Sequence, residues 1–296
     1  TDAEERGVLR EGIPLNSKSS PMSQLSAFEP SPLSFEDFRH ENGEVYWWAS
    51  DLLKMVGYKD LPSFEKVLDR ATKAMISLGI PHYSNIHIAE REVDGVMSKD
   101  FKLTRFACYL AVMNGDPKKP EVAAAQVYFA QQTRQFELHV QGQAEMDRML
   151  IRDELAEGNK ILSSTAHRAG VGDFARFQDA GYLGLYNMQA WQLKDRRGLD
   201  KKANLADYMG RTELAANLFR VTQTEERIRN KGIKGQAALE QTHRDVGREV
   251  REIVKRNTGN APENLAQERQ LPEVKKQLKK GYSKMVEADK KKGKKK

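Results

Sequence analysis

Few residues in this chain have types and spacings that suit chemistry, and its one cysteine is the first to weigh. Cys108 lies in LTRFACYLAVMNGDPKKPEVAAAQVYFAQQTR, residues 103–134, ahead of a loop, NGDPKKP, in which Lys118 and Lys119 could grip phosphate. A nucleophilic thiol needs a neighbour that lowers its pKa, and Ala107 and Tyr109 do not do so. Cys108 therefore reads as a small core residue on a helix. The loop lacks the glycines whose amides would converge on phosphate, and no GxxxxGK[ST] occurs. The six histidines (His40, His82, His87, His139, His167, His243) form no HxxxH or HxH pair, so zinc spacing is absent. No GxSxG elbow is present either.

One enzyme reading is worth testing. A metal-dependent nuclease holds Mg²⁺ with closely spaced carboxylates beside a lysine, and EREVDGVMSKDFK supplies Glu90, Glu92, Asp94 and Lys99. Exposed charges on a hairpin explain these residues more simply. The expectation is no catalytic residue, no metal and no cofactor.

Composition narrows the class. A chain of 296 residues has room for one large domain or two ordinary ones. One cysteine excludes a disulfide framework and fits a reducing compartment. The opening TDAEERGVLREGIPLN is too acidic and polar for a signal peptide, and no long apolar run is present. A cytoplasmic protein without a membrane partner is expected. The net charge is +7, but residues 261–296 alone carry twelve Lys and Arg against five Asp and Glu. The folded part is only mildly basic. The lysine-rich end, KKQLKKGYSKMVEADKKKGKKK, shows no obvious apolar face and is expected to be disordered. It suits counterion release on a polyanion and equally well a merely solubilising end.

The elements that would position these residues follow from turn chemistry and periodicity. Residues 1–33 read as a disordered leader rich in Ser and Pro. Asn42-Gly43 between aromatic segments marks a hairpin with both turn residues at positive φ. In SDLLKMVGY, Ser50 is the expected N-cap and Gly57 the stop. Pro62 opens a second helix whose Phe64, Val67, Leu68, Ala71 and Met75 share one face. The pair is compatible with a helix-turn-helix, and a hairpin about Asp94-Gly95 would carry Arg91, Lys99 and Lys102 as a wing along phosphates. An ordinary two-helix unit under a covering hairpin fits the same pattern.

Residues 103–140 read as an αα-hairpin, with Thr104 capping one helix, Asn114-Gly115 ending it in a left-handed residue, and Pro120 starting the next. Beyond Gly142 no strand is expected. Helices are read at Glu145–Ala169, Ala190–Arg197, Ala203–Tyr208, Thr212–Asn230 and Gln236–Arg256, with DFARFQDAGYLGLYNM as a turn-rich break. The fold class is thus an α+β N-terminal domain of two β-hairpins and helices, helix-turn-helix-like, followed by a mainly α-helical C-terminal domain. The expected divisions are 1–33, 34–140, 141–257 and a linker with tail at 258–296.

Specific strings then add a resemblance. YWWASDLLKMVGYKD resembles the opening of the BRO-N domain of phage antirepressors and related proteins. FKLTRFACYLAVMNGDPKKPEVAAAQVYFAQQTRQFEL, DFARFQDAGYLGLYNM, MGRTELAANLFRVTQTEERIR and THRDVGREVR are similar to the DNA-damage-inducible protein D (DinD) family, in its order, from about Phe35 to Arg256. The resemblance implies a cytoplasmic bacterial or phage-derived protein under LexA-type SOS control. It also implies a BRO-N module that contacts DNA, and restraint of a RecA-type recombinase filament. It carries no catalytic residues.

Three functional readings result. The first is a non-enzymatic SOS regulator that binds DNA or a RecA-type filament. Helix polarity then points to Ser63, Lys66, Arg70 and Lys73 as DNA-facing, with Lys99 and Lys102 on the hairpin and Lys118 and Lys119 on the loop. The second is a protein-interaction module in phage defence or antirepression, whose Arg220, Arg227, Arg244, Arg248 and Arg251 grip phosphate or an acidic partner. A solvated face of paired charges accounts for the same arginines. The third is the nuclease. Self-association is left open.

Overall fold

The computed structural model describes residues 34–93, 95–133 and 143–293. The leader read at 1–33 therefore lies outside the described residues. The first described feature is a 3-10 turn, Phe35–Phe38, whose Asp37 carboxylate accepts the Ser34 N–H at 2.6 Å.

From Phe38 onward the chain forms one unit. It begins as a four-stranded antiparallel sheet with helices. Strands β1 (His40–Glu41), β2 (Val45–Trp48), β3 (Ile86–Val93) and β4 (Val96–Leu103) lie in the order β1-β2-β4-β3. The two hairpins are joined because Trp47 and Trp48 of β2 pair with Leu103 and Lys102 of β4. Gly43 takes φ +74° in the first turn, but it is the only residue there at positive φ, and the Asn42 N–H closes the loop on the Glu44 carbonyl. The loop is thus a three-residue turn rather than a two-residue one. In the second hairpin Val93 faces Val96 and Gly95 takes φ +78°. Asp94 lies outside the described residues.

Helices α1 (Ala49–Met55) and α2 (Leu61–Leu78) follow the strands. Ser50 is not the N-cap of α1, because that helix begins one residue earlier, at Ala49. α2 is capped as its sequence demands: Asp60 accepts the Ser63 N–H, Pro62 sits in the first turn, and Gly79 ends the helix at φ +65°. Phe64, Val67, Leu68, Ala71 and Met75 are all buried. Helix α3 (Arg105–Met113), capped by Thr104, and helix α4 (Pro120–Thr133) form the αα-hairpin. Asn114 remains right-handed at φ −93°, and its amide donates to the Leu110 carbonyl instead. That side-chain bond satisfies the last turn, so no left-handed residue is needed. Every residue of α3 is buried, Cys108 included.

The C-terminal part is helical: α5 (Gln143–Arg168), α6 (Phe174–Tyr186), α7 (Ala190–Arg196), α8 (Arg211–Lys231), α9 (Gln236–Thr258) and α10 (Leu271–Gly293). α5 packs on α8, and α6 crosses α9. The turn-rich reading of residues 173–188 is corrected, since α6 occupies it. Asp173 caps the helix and Asn187 closes it at φ +54°. Its glycines are not turn residues. A Cβ on Gly184 would stand 3.0 Å from the Arg244 carbonyl carbon and from the Gly247 Cα, so Gly184 exists to let the two helices touch. Residues 203–208 shorten to a 3-10 turn, Leu205–Tyr208.

The largest correction concerns the tail. α10 is ordered, and Leu271, Val274, Leu278 and Met285 are buried at spacings of three, four and seven. It rests on α3 and α2. The Phe106 and Tyr282 rings meet edge-on at 5.1 Å, and the Asp289 carboxylate takes Arg105 Nε and Nη2 at 3.0 and 2.8 Å. Each buried apolar side chain contributes about 1.5–3 kcal/mol, whereas repulsion between solvated lysines is screened to tenths of that. The apolar stripe wins, and the lysines between its members turn outward.

Candidate nucleic-acid interface

The geometry about the α1–α2 turn is fixed from two sides. On one side β4 supplies Asp100, only 2% exposed, whose carboxylate accepts the Ser50 N–H at 3.1 Å and the Ser50 hydroxyl at 2.5 Å. A strand residue thus caps α1. Arg91 of β3 completes the joint, reaching Asp51 at 2.9 Å and the Ser50 Oγ at 2.8 Å while its guanidinium lies 5.3 Å over the Trp48 ring. On the other side the α3–α4 loop braces the turn. Lys119 Nζ donates to the Gly57 carbonyl at 2.9 Å and sits 5.1 Å over the Tyr58 ring. The Tyr58 hydroxyl accepts the Asp116 N–H at 3.0 Å. Lys59 is exposed in this braced turn, and Lys54, Lys66 and Lys118 are exposed on the elements that flank it. Asp60 is held below the usual carboxylate range by its bonds from Ser63.

The residues expected to face DNA divide accordingly. Ser63 and Lys66 are exposed in the first turns of α2, and Lys118 is exposed on the loop. Lys119 is engaged in tying the α3–α4 loop to Gly57, just past the C-cap of α1. Arg70, its side chain 36% exposed, pairs with the Asp147 carboxylate of α5. Lys73 is exposed but paired with Asp69 at 2.9 Å. Lys99 bonds Glu65 at 2.9 Å and lies over Phe101, while Lys102 stacks over the Tyr46 and Trp48 rings at 4.5 and 5.4 Å. The hairpin cations Arg91, Lys99 and Lys102 thus each have a partner within the fold, and the Lys99 side chain remains 53% exposed. One face of the hairpin exposes Glu90 and Glu92 with Ile88 and Met97, 73% and 57% exposed, and the other exposes Val96, 65% exposed. Lys54 and Lys59, absent from the sequence reading, are exposed on α1 and in the turn that follows it.

Of the four nuclease residues, Asp94 lies outside the described residues. Glu90 faces Lys99 across the strands and Glu92 faces Met97. β4 also carries Asp100 two residues before Lys102, an acid-and-lysine spacing that suits metal chemistry better than the one weighed first. Asp100 is spent on α1 and Lys102 on aromatic faces. Among the described residues no group of three His, Cys, Asp or Glu could hold a metal ion.

The C-terminal arginines likewise do not form a stripe. Arg227 forks onto Glu249 at 2.9 and 2.6 Å, which raises its pKa and lowers that of Glu249. Arg248 is exposed beside Asp245. Arg244 is half-buried, its Nε without a hydrogen-bond partner. Arg251 is buried, bonded to the Leu185 carbonyl at 2.8 Å and to Glu263 at 2.6 and 2.7 Å. Arg220 is 2% exposed and meets His243 and Asn217. Arg220 and Arg251 thus belong to the interior and cannot grip a partner from the surface.

Arg220 is part of a network that sequence reasoning missed. Glu213, buried, accepts from Arg197 at 2.9 Å and from the Tyr186 hydroxyl at 2.6 Å, and Tyr186 accepts from Asn217 at 2.6 Å. Burial raises the Glu213 pKa, and Tyr186 is pushed up further by the adjoining carboxylate. The signal was present in the sequence. Glu213, Asn217, Arg220 and Thr224 recur at spacings of four, three and four, one face of α8 turned toward the core.

Two comparisons bear on this arrangement. Residues 143–280 match the family described as DinD C-terminal domain, and residues 37–132 match the BRO family, N-terminal domain. DNA damage-inducible protein D of Escherichia coli (strain K12) is 42% identical over 250 residues, covering 78% of this chain and 90% of that protein.

Proposed function

The chain belongs to the DNA damage-inducible protein D family, and from that premise we propose that it is a non-enzymatic regulator that binds DNA through the α1–α2 surface. Bound there, or on a RecA-type recombinase filament, it restrains the filament during the damage response. The observation that carries this reading is exposed Lys59 in a helix–turn–helix turn braced by Asp100 and Lys119, with Lys54, Lys66 and Lys118 exposed on the elements that flank it. Such a rigid cationic edge suits phosphate contact, with Ser63 and Lys66 entering first. A cytoplasmic site fits this role. Among the described residues no helix is long and apolar enough to cross a membrane.

The test is a salt series of DNA retention with the full chain. Lys59→Glu, Lys66→Glu and Lys118→Glu together should lower affinity at every salt concentration and flatten the log–log salt slope by about three. Unchanged retention would refute the surface. The same variant should fail to restrain strand exchange by a recombinase filament. Deleting residues 272–296 is not a usable control for this experiment, because α10 covers α3.

A second reading rests on a separate observation. Ile88 and Met97 are exposed apolar side chains on one face of the hairpin, which phosphate would not choose. It favours a protein-interaction module, as in antirepression. In that case Ile88→Ser with Met97→Ser abolishes partner capture and leaves DNA retention intact.

A further inference from the structure

The helical domain encloses a cavity of about 340 Å³ between α5, α6, α8 and the 204–209 segment. Its lining includes Arg152, Asn159, Gln178, Tyr182, Asn217 and Arg220, and no carboxylate residue lines it. The Arg152 charge is already met by Asp207 at 2.9 Å. The Arg220 charge is not met by any acid among the described residues. Its Nη1 faces His243 Nε2, its Nη2 donates to Asn217 Oδ1 at 3.1 Å, and its Nε has no hydrogen-bond partner. His243 donates its Nδ1–H to the Phe177 carbonyl at 2.9 Å, which leaves Nε2 as a bare acceptor and the ring neutral. The one buried carboxylate of the network, Glu213, is engaged by Arg197 and Tyr186.

A buried guanidinium held by a neutral imidazole, an amide and the Tyr182 ring 5.5 Å below it is a cation without an acidic counterion among the described residues, which the interior tolerates poorly. A cavity beside it offers the place for one. Oxyanions are what a guanidinium fork binds best, and phosphate above the others. The Gln178 amide in the opposite wall supplies both a donor and an acceptor for the rest of the molecule. The volume lies at the small end of ligand pockets, enough for a single nucleotide and too small for a duplex or a polypeptide segment.

We propose that this cavity binds a small phosphomonoester of mononucleotide size, its phosphate against Arg220 and its remainder against Gln178 and Tyr182. The site is distinct from the lysines of the α1–α2 surface, so the two stand or fall separately.

Titration calorimetry on the full chain tests the assignment with dAMP, adenosine and inorganic phosphate as probes. The expected result is saturable one-to-one binding of dAMP, weaker binding of phosphate, and adenosine at least tenfold weaker than dAMP. Gln178→Glu, which sets a carboxylate in the wall without changing its shape, should weaken dAMP at least tenfold at an unchanged unfolding temperature. Arg220→Gln should abolish binding, and if that variant does not fold, Gln178→Glu decides alone. Absence of saturable dAMP binding, equal affinity for adenosine, or wild-type affinity in Gln178→Glu would each overturn the proposal. So would loss of dAMP binding in the Lys59→Glu, Lys66→Glu, Lys118→Glu chain, because it would move the nucleotide to the DNA surface.

Discussion

Arg105 of α3 and Asp289 of α10, 184 positions apart in sequence, hold each other at 2.8 Å with only 11% and 16% of their side chains exposed. The lysine-rich end is thereby tied to the most buried helix of the N-terminal domain. Its lysines are carried on a rigid cylinder rather than a free chain, with Lys276, Lys279 and Lys280 facing water.

Removing residues 271–296 should therefore destabilise the N-terminal domain, not merely trim charge. The loss of four buried apolar side chains predicts a drop of several kcal/mol, on the order of 1.5–3 for each before entropy is subtracted. Asp289→Asn should cost about 1.5–3 kcal/mol, as expected when a charged hydrogen bond is broken. Urea unfolding monitored by tryptophan fluorescence measures both. A truncation that melts with the full chain would show that α10 contributes nothing.

Asp100 is the second joint. Asp100→Ala removes the cap of α1 and the neighbour of Arg91 together, and should cost about 2 kcal/mol by cap loss. Ser50→Ala should cost less, because the Ser50 N–H still finds the Asp100 carboxylate. Equal losses in chemical denaturation would contradict the cap geometry.

Acid should weaken the helical domain through His243. Burial first and the nearby Arg220 second hold its pKa well below the ordinary 6.5, while the Phe177 carbonyl opposes them. The unfolded chain then binds a proton that the folded chain refuses. Stability is complete above about pH 6.5 and falls as pH drops toward the depressed folded value, by up to about 1.4 kcal/mol per pH unit. Glu213, with its pKa raised, acts in the opposite sense at lower pH, since protonation relieves its burial. Comparing urea midpoints of the wild type and His243→Asn from pH 8 to 5 isolates the effect. A parallel decline in both chains would assign it elsewhere.

The crossing of α6 and α9 should tolerate no methyl group. A Cβ on Gly184 meets backbone, at 3.0 Å from Gly247 Cα, and a Cβ on Gly181 would collide with the Arg220 and His243 side chains. Gly184→Ala should cost about 1–3 kcal/mol or more by overpacking. Gly181→Ala should cost a similar amount and additionally abolish dAMP binding. Thermal unfolding of the two variants distinguishes a tight crossing from a loose one.

These glycines also show where the sequence could be read and where it could not. The cap at Thr104, the prolines Pro62 and Pro120 that open α2 and α4, and the apolar face of α2 follow from local chemistry, and local chemistry is enough to place them. Gly181 and Gly184 were taken as turn residues because glycine favours turns, yet their need is set by a helix more than sixty residues away. α10 was missed for a related reason. Its lysines dominate the composition, and its widely spaced Leu271, Val274, Leu278 and Met285 gain meaning only against α3 and α2. The arginines were misjudged by treating spacing along α9 as exposure, when Arg251 turns inward to Glu263.

Lys118 and Lys119 make the sharpest test of the DNA surface, because neighbours in sequence have opposite duties. Lys119 braces the α1–α2 turn through the Gly57 carbonyl and covers Tyr58, so Lys119→Ala should lower stability by about 1 kcal/mol, the usual worth of such a hydrogen bond. Its effect on DNA affinity should vanish once the folded fraction is accounted for. Lys118 is exposed on the same loop, and Lys118→Ala should leave the unfolding midpoint unchanged while reducing the salt slope of DNA binding by about one. Stability and salt dependence, measured on both chains, must separate in opposite directions. If both substitutions alter the slope alike, the loop meets phosphate as a whole and the bracing role of Lys119 is wrong. If neither does, the α1–α2 surface loses its outermost contact, and the braced turn is only a structural joint.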